Sequence, residues 1–126
     1  MGVNTKNLKI MIVEDDPLIR QLYSQILDQK GYQVISLASD GDEAIKQYEK
    51  LEEKPDLIIL DFRMPKKDGL QVTKEIQKIN SKTDILMISG DPLFDSRAII
   101  SHRVNVMQKP VQMSELLHVI QTLNDL

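Results

Sequence analysis

Asp61 ends the run Leu57-Ile58-Ile59-Leu60, where an apolar strand stops on a carboxylate and a loop marked by Met64-Pro65 begins. In a parallel sheet covered on both faces, strands read as unbroken apolar runs, and reactive groups collect in the crevice at their carboxyl ends. An isolated Asp in such a place is more often a turn or cap residue, but three further strand ends carry compatible chemistry. Ile10-Met11-Ile12-Val13 runs into Glu14-Asp15-Asp16-Pro17. Carboxylates brought from there to Asp61 repel one another unless a cation lies between them. Ligands that are all oxygen, with no His or Cys beside them, suit a hard ion such as Mg²⁺, which keeps several waters and takes one or two carboxylates. Asp15 is assigned as a direct ligand and Glu14 as a ligand acting through water. Asp16, just before Pro17, reads as the N-cap of a helix. Asp84 to Ser89 is another apolar strand, closing on a hydroxyl donor followed by Gly90, whose backbone N–H can approach a ligand closely. Val104 to Gln108 runs into Lys109-Pro110 and supplies a flexible positive charge suited to a phosphate.

Helices must separate these strands. Leu18, Ile19, Leu22, Tyr23, Ile26 and Leu27 form an apolar stripe at helical spacing, and Gly31 stops it. Val34, Ile35 and Leu37 mark a second strand. Ala44, Ile45, Tyr48 and Leu51 mark a second helical face, and Leu70, Thr73, Ile76 and Ile79 a third. A fourth helix is expected over residues 91–102, and Leu116, Leu117, Ile120 and Leu123 predict the last. Five strands alternating with five helices specify an α/β doubly wound parallel sheet with right-handed crossovers. The order 2-1-3-4-5 puts the ends of the first and third strands side by side at the switch point.

Composition narrows the function classes. A length of 126 residues suits one domain. With no Cys there is no disulfide or thiolate metal site. No basic start precedes a long apolar run, and no apolar stretch reaches the ~20 residues of a membrane span. A cytoplasmic location is therefore expected. A formal charge of −3, without a basic cluster beyond Lys66-Lys67, argues against direct nucleic-acid binding. Residues 1–7 are expected to be a flexible polar leader and 8–126 the folded domain. His102, His118 and the methionines lack ligand spacing.

An acidic pair, an Asp, a hydroxyl and a lysine, each at a strand end and in that chain order, resemble the receiver domain of two-component response regulators. Met64-Pro65 and Asp68-Gly69 are similar to the family's loop after its phosphoacceptor. The resemblance runs from about Leu8 to Leu126. It implies a flavodoxin-like fold, Asp61 as phosphoacceptor, and a phosphohistidine on a sensor histidine kinase or histidine phosphotransfer protein as donor. It further implies Mg²⁺ or Mn²⁺ held by Glu14, Asp15, Asp61 and the backbone carbonyl of Arg63. Lys109, Ser89 and the N–H groups of Phe62 and Gly90 are expected on the phosphoryl oxygens. Phosphorylation is expected to switch association with a partner or a second copy. The chain would catalyse only its own phosphotransfer and dephosphorylation, with Arg63 and Asp91 flanking the path of the attacking water.

Two alternatives belong beside this reading. The chain could be the receiver portion of a larger regulator with an output domain. An aspartate-nucleophile, Mg²⁺-dependent phosphatase would need a second Asp two residues after the first, where Arg63 stands. Val106 and Val111 occupy places where the family usually has aromatic residues, so the output face is expected to differ from that of relatives.

Overall fold

The computed structural model describes residues 8–90 and 103–124. The expected leader at 1–7 and the helix expected over 91–102 lie outside the described residues. Five strands, β1 (Lys9–Val13), β2 (Gln33–Ala38), β3 (Leu57–Asp61), β4 (Asp84–Ser89) and β5 (Val104–Gln108), form one sheet in the order β2-β1-β3-β4-β5. Every pairing is parallel. The flavodoxin-like α/β sheet expected from the sequence is therefore present. The described helices are α1 (Pro17–Gln29), α2 (Gly41–Lys50), α3 (Gly69–Ile79) and α4 (Met113–Asn124). Among the described residues there are thus four helices and not the expected five, because no described element corresponds to residues 91–102.

Strand alternation divides the interior into two layers. In β3, Leu57 and Ile59 point to the side covered by Tyr23 and Leu27 of α1 and Leu116 and Ile120 of α4. Ile58 and Leu60 point to the side covered by Ala44, Ile45 and Tyr48 of α2 and Val72 and Ile76 of α3. Both faces of β3 are covered, which explains its unbroken apolar sequence. Tyr48 is fully buried, and its hydroxyl is 2.7 Å from Thr83 Oγ1, so the one polar atom it takes into the core is satisfied.

Local signals set the helix ends. Asp16 caps α1 by accepting from the N–H of Leu18 at 2.9 Å, with Pro17 in the first turn. At the other end the N–H of Gly31 bonds Asp28 O at 3.0 Å and that of Tyr32 bonds Leu27 O at 3.1 Å. This reciprocal pair requires a left-handed residue between them, and Gly31 has φ 91. Asp68 and Gln71 form a complete capping box at the start of α3.

The α1 stripe is only partly interior. Tyr23 and Leu27 are buried, whereas Leu18 is 80% and Leu22 48% exposed. The expected stripe contains two columns of i, i+4 neighbours, and the column Ile19-Tyr23-Leu27 faces the sheet, with Tyr23 and Leu27 buried and Ile19 partly so. Ile79, at the end of the α3 stripe, is likewise exposed, because the helix stops at Asn80. Leu27→Ala should lower unfolding free energy by about 2–5 kcal/mol, the range for truncating a buried leucine. Leu18→Ala should stay within about 0.5 kcal/mol. Urea unfolding of both variants checks this, and comparable losses would contradict the division of the stripe.

Candidate functional site

Sheet register delivers the four strand ends to one edge. Val13 pairs with Leu60, so Glu14 emerges beside Asp61. Ser89 pairs with Gln108, and the N–H of Lys109 continues that ladder with a 2.8 Å bond to Ser89 O. Lys109 Nζ then stands 3.1 Å from Asp61 Oδ1. Four groups separated by up to most of the chain thus meet because parallel strands all finish at the same edge.

Glu14, Asp15 and Asp61 each offer a carboxylate oxygen, and these atoms lie within 4.8 Å of one another. Glu14 and Asp61 are buried, while Asp15 is exposed. Burial pushes Glu14 up to about 7; the N–H of Asp16 pulls against that shift, and the charge of Asp61 adds to it. Burial also raises Asp61 above its ordinary value, opposed mainly by its hydrogen bond and charge interaction with Lys109. For Lys109 burial acts to lower the pKa, but the hydrogen bond and charge of Asp61, with the charge of Glu14, leave it raised. The cluster therefore holds more negative charge than its one ammonium balances. Its all-oxygen donor set, converging with two members buried, fits a hard divalent cation.

The sequence left several neighbours unread. Arg20 Nη1 donates to Glu14 O at 2.8 Å, and the N–H of Asp16 donates to Glu14 Oε2 at 3.0 Å, so α1 fixes the end of β1 from both sides. The expectation that the N–H of Phe62 serves the phosphoryl oxygens is corrected. That N–H bonds Ile88 O at 2.8 Å, because the β3–β4 ladder continues one residue past Asp61. The backbone of Arg63 supplies the hydrogen bond to the Asp61 carboxylate instead. The Arg63 side chain is exposed, and Asp91 lies outside the described residues. Gly69 has a steric reason: a Cβ there would sit 2.9 Å from Phe62 Cα and 3.1 Å from Asp61 O.

Beside the carboxylates an apolar groove of about 500 Å³ runs between Ile19, Leu22 and Tyr23 of α1 and the segment Pro110-Val111, with Lys109 at its rim. Periodicity alone could not show it, since the groove depends on how α1 lies against the turn after β5.

Comparison with known proteins agrees with this geometry. The family model described as response regulator receiver domain matches residues 10–121. The chemotaxis protein CheY of Bacillus subtilis is 34% identical over 119 residues, covering 92% of this chain and 98% of that protein. The probable C4-dicarboxylate response regulator DctR of the same species is 31% identical over 92% of this chain, which spans 52% of that protein's length. The alkaline phosphatase synthesis transcriptional regulatory protein PhoP is 44% identical over 71% of this chain, corresponding to 36% of its own length. Among solved structures, the receiver domain of sensor histidine kinase PA1611 from Pseudomonas aeruginosa, with a magnesium ion coordinated in its active site cleft, superposes with a TM-score of 0.81. It is 26% identical and covers 95% of this chain and 99% of its own.

The raised Glu14 has a consequence for stability in metal-free buffer. The unfolded chain loses this proton near the ordinary value of 4.5 and the folded chain near 7, so between them the folded state binds more protons. Stability should fall as pH rises through that window and level off above it. Asp61, also raised, contributes in the same direction. Glu14→Gln should flatten the decline and leave the variant with a higher urea midpoint than wild type above pH ~7. A variant profile parallel to wild type across the window would exclude Glu14 as the source.

Proposed function

The chain belongs to the response regulator receiver domain family, and on that premise we propose that Asp61 is its phosphoacceptor. The observation that carries this assignment is the buried Asp61 carboxylate at the end of β3, 3.1 Å from Lys109 Nζ and converging with Glu14 and Asp15. The donor in this reading is a phosphohistidine on a sensor histidine kinase or histidine phosphotransfer protein. Its surface would seat on the apolar groove that ends at Lys109.

Phosphoryl transfer asks for positioning and for stabilisation of charge on the transferring oxygens. An Asp61 oxygen forms the bond to phosphorus as the bond to the donor's imidazole nitrogen breaks, with the electron pair leaving on that nitrogen. No general base is required, because an ionised carboxylate is already the nucleophile. Lys109 follows the charge from the Asp61 carboxylate to a phosphoryl oxygen. Ser89 and the N–H groups of Arg63 and Gly90 are the donors assigned to the other oxygens. Glu14, Asp15, Asp61 and the backbone carbonyl of Arg63 are the groups that would hold Mg²⁺ or Mn²⁺. When bound, the ion would supply positive charge that adds to that of Lys109 in neutralising the phosphoryl oxygens. Hydrolysis of the acyl phosphate resets the domain, so its chemistry is confined to its own phosphorylation and dephosphorylation.

The product is a switch. A phosphoryl group adds about −1.5 to −2 charges and three acceptor oxygens beside Ser89, which favours movement of Ser89 and Gly90 at the end of β4 and a change in association with a partner or second copy. Residues 8–126 act as one receiver domain in this reading. The chain spans about half of DctR and a third of PhoP but nearly all of CheY, so relatives matched over this length include longer proteins as well as one of similar length. No helix among the described residues is long and apolar enough to cross a membrane. The cytoplasm is the compartment that a phosphohistidine donor implies.

Acetyl phosphate with Mg²⁺ should add one phosphoryl group, mapped by mass spectrometry to Asp61. Asp61→Asn or excess chelator should abolish it, and Lys109→Ala should slow it roughly 100-fold, as for loss of one preorganised charge. Undiminished labelling of Asp61→Asn would sink the assignment.

A further inference from the structure

The loop between Asp61 and α3 is fastened at both ends by bonds to the sheet and helix. Its start is held by the N–H of Phe62 on Ile88 O, and its end by the N–H of Gly69 on Phe62 O, each at 2.8 Å. The tip is held differently, against another element. Lys67 Nζ lies 2.7 Å from Glu75 Oε2 on α3 and 3.8 Å from Asp42 Oδ1 on α2. Lys66 Nζ lies 3.6 Å from Asp40 Oδ2. Under these pairs the loop backbone presses directly on Gly41, where an added Cβ would stand 2.5 Å from Lys67 O and 2.6 Å from Lys67 Cβ. Those distances are too short for any side chain, so glycine is required at the first residue of α2 by close approach alone.

The surface that the tip rests on is rigid. Asp40 caps α2 by accepting from the N–H of Glu43 at 2.8 Å, and Glu43 Oε1 accepts in return from the N–H of Ser39 at 3.0 Å. Behind this turn Ala44, Ile45 and Tyr48 anchor α2 to the sheet. Lys66 holds φ 72, a left-handed conformation that L residues rarely adopt and that persists where surroundings enforce it. The same short loop carries the Arg63 backbone that bonds the Asp61 carboxylate.

From this geometry we propose that Gly41 and Lys67 are positioning residues for the Asp61 site. They clamp the loop tip to α2 and α3 and so hold the Arg63 backbone at the carboxylate. The inference rests on Asp61 as phosphoacceptor but concerns residues outside the carboxylate cluster. The clamp acts on the apo protein as well, since every contact in it is between protein groups. Because the ion pairs are half-exposed, salt weakens them, while the Gly41 contact is insensitive to salt.

The test compares Lys67→Met, Lys67→Arg and Gly41→Ala in the full chain. In metal-free protein, the amide resonances of Phe62 and Arg63 should shift in Lys67→Met and Gly41→Ala and return toward wild type in Lys67→Arg. Mg²⁺ affinity by calorimetry should fall roughly threefold to tenfold in the first two variants, below the usual effect of residues that directly support metal ligands. The rate of acetyl phosphate labelling should fall with it. Lys67→Met is a surface change that keeps the test available if Gly41→Ala fails to fold. Unlabelled wild type would remove the reading beneath the inference. A wild type labelled on Asp61, together with Lys67→Met unchanged in Arg63 resonance, Mg²⁺ affinity and labelling rate, would overturn the clamp alone.

Discussion

Two buried carboxylates and a third exposed one share a space with a single ammonium, and the remainder of the site is arranged around that imbalance. Asp61 and Glu14 cannot both ionise in a poorly solvated crevice without compensation. Lys109, 3.1 Å from Asp61, provides part of it, and the N–H of Asp16 on Glu14 provides another part. What is left over is uncompensated negative charge on converging oxygen donors, a setting that suits a hard cation. The core can hold this electrostatic conflict because two apolar layers stabilise the sheet independently of its edge.

The carboxylates are joined to the rest of the fold by backbone as much as by side chains. Arg20 of α1 bonds the Glu14 carbonyl, the β3–β4 ladder takes up the N–H of Phe62, and Gly69 packs on Asp61 and Phe62. Each contact leaves one fewer freedom to the atoms around Asp61. Preorganisation of that kind is what allows charge stabilisation without rearrangement at the moment of transfer. The loop after Asp61 is tied to both helices of its face, so the site communicates structurally with α2 and α3 as well as with its own strand.

The amino-acid pattern alone determined the alternation of strands and helices, hence the parallel sheet, and the four strand ends that carry Asp15, Asp61, Ser89 and Lys109, while the strand order was expected from the family resemblance. These are local or periodic properties: an apolar run of strand length, a cap before Pro17, a glycine after a helix. Asp16 as N-cap and Gly31 as helix stop follow from backbone chemistry that operates within a few residues. The family resemblance was legible for the same reason, since its motif residues lie at strand ends in fixed order. Tertiary structure alone decided which half of an apolar stripe is interior, because periodicity gives a face but not its width. Leu18 and Leu22 match Tyr23 and Leu27 in character and differ in what lies opposite them. It also decided which backbone N–H serves Asp61, since Phe62 and Arg63 differ only in where the β4 ladder ends. Gly41 against Lys67, and Arg20 against Glu14, are contacts between segments whose separation in space is set by strand register and helix packing. No composition, period or spacing encodes such a distance, because it is the sum of all the packing between the two segments.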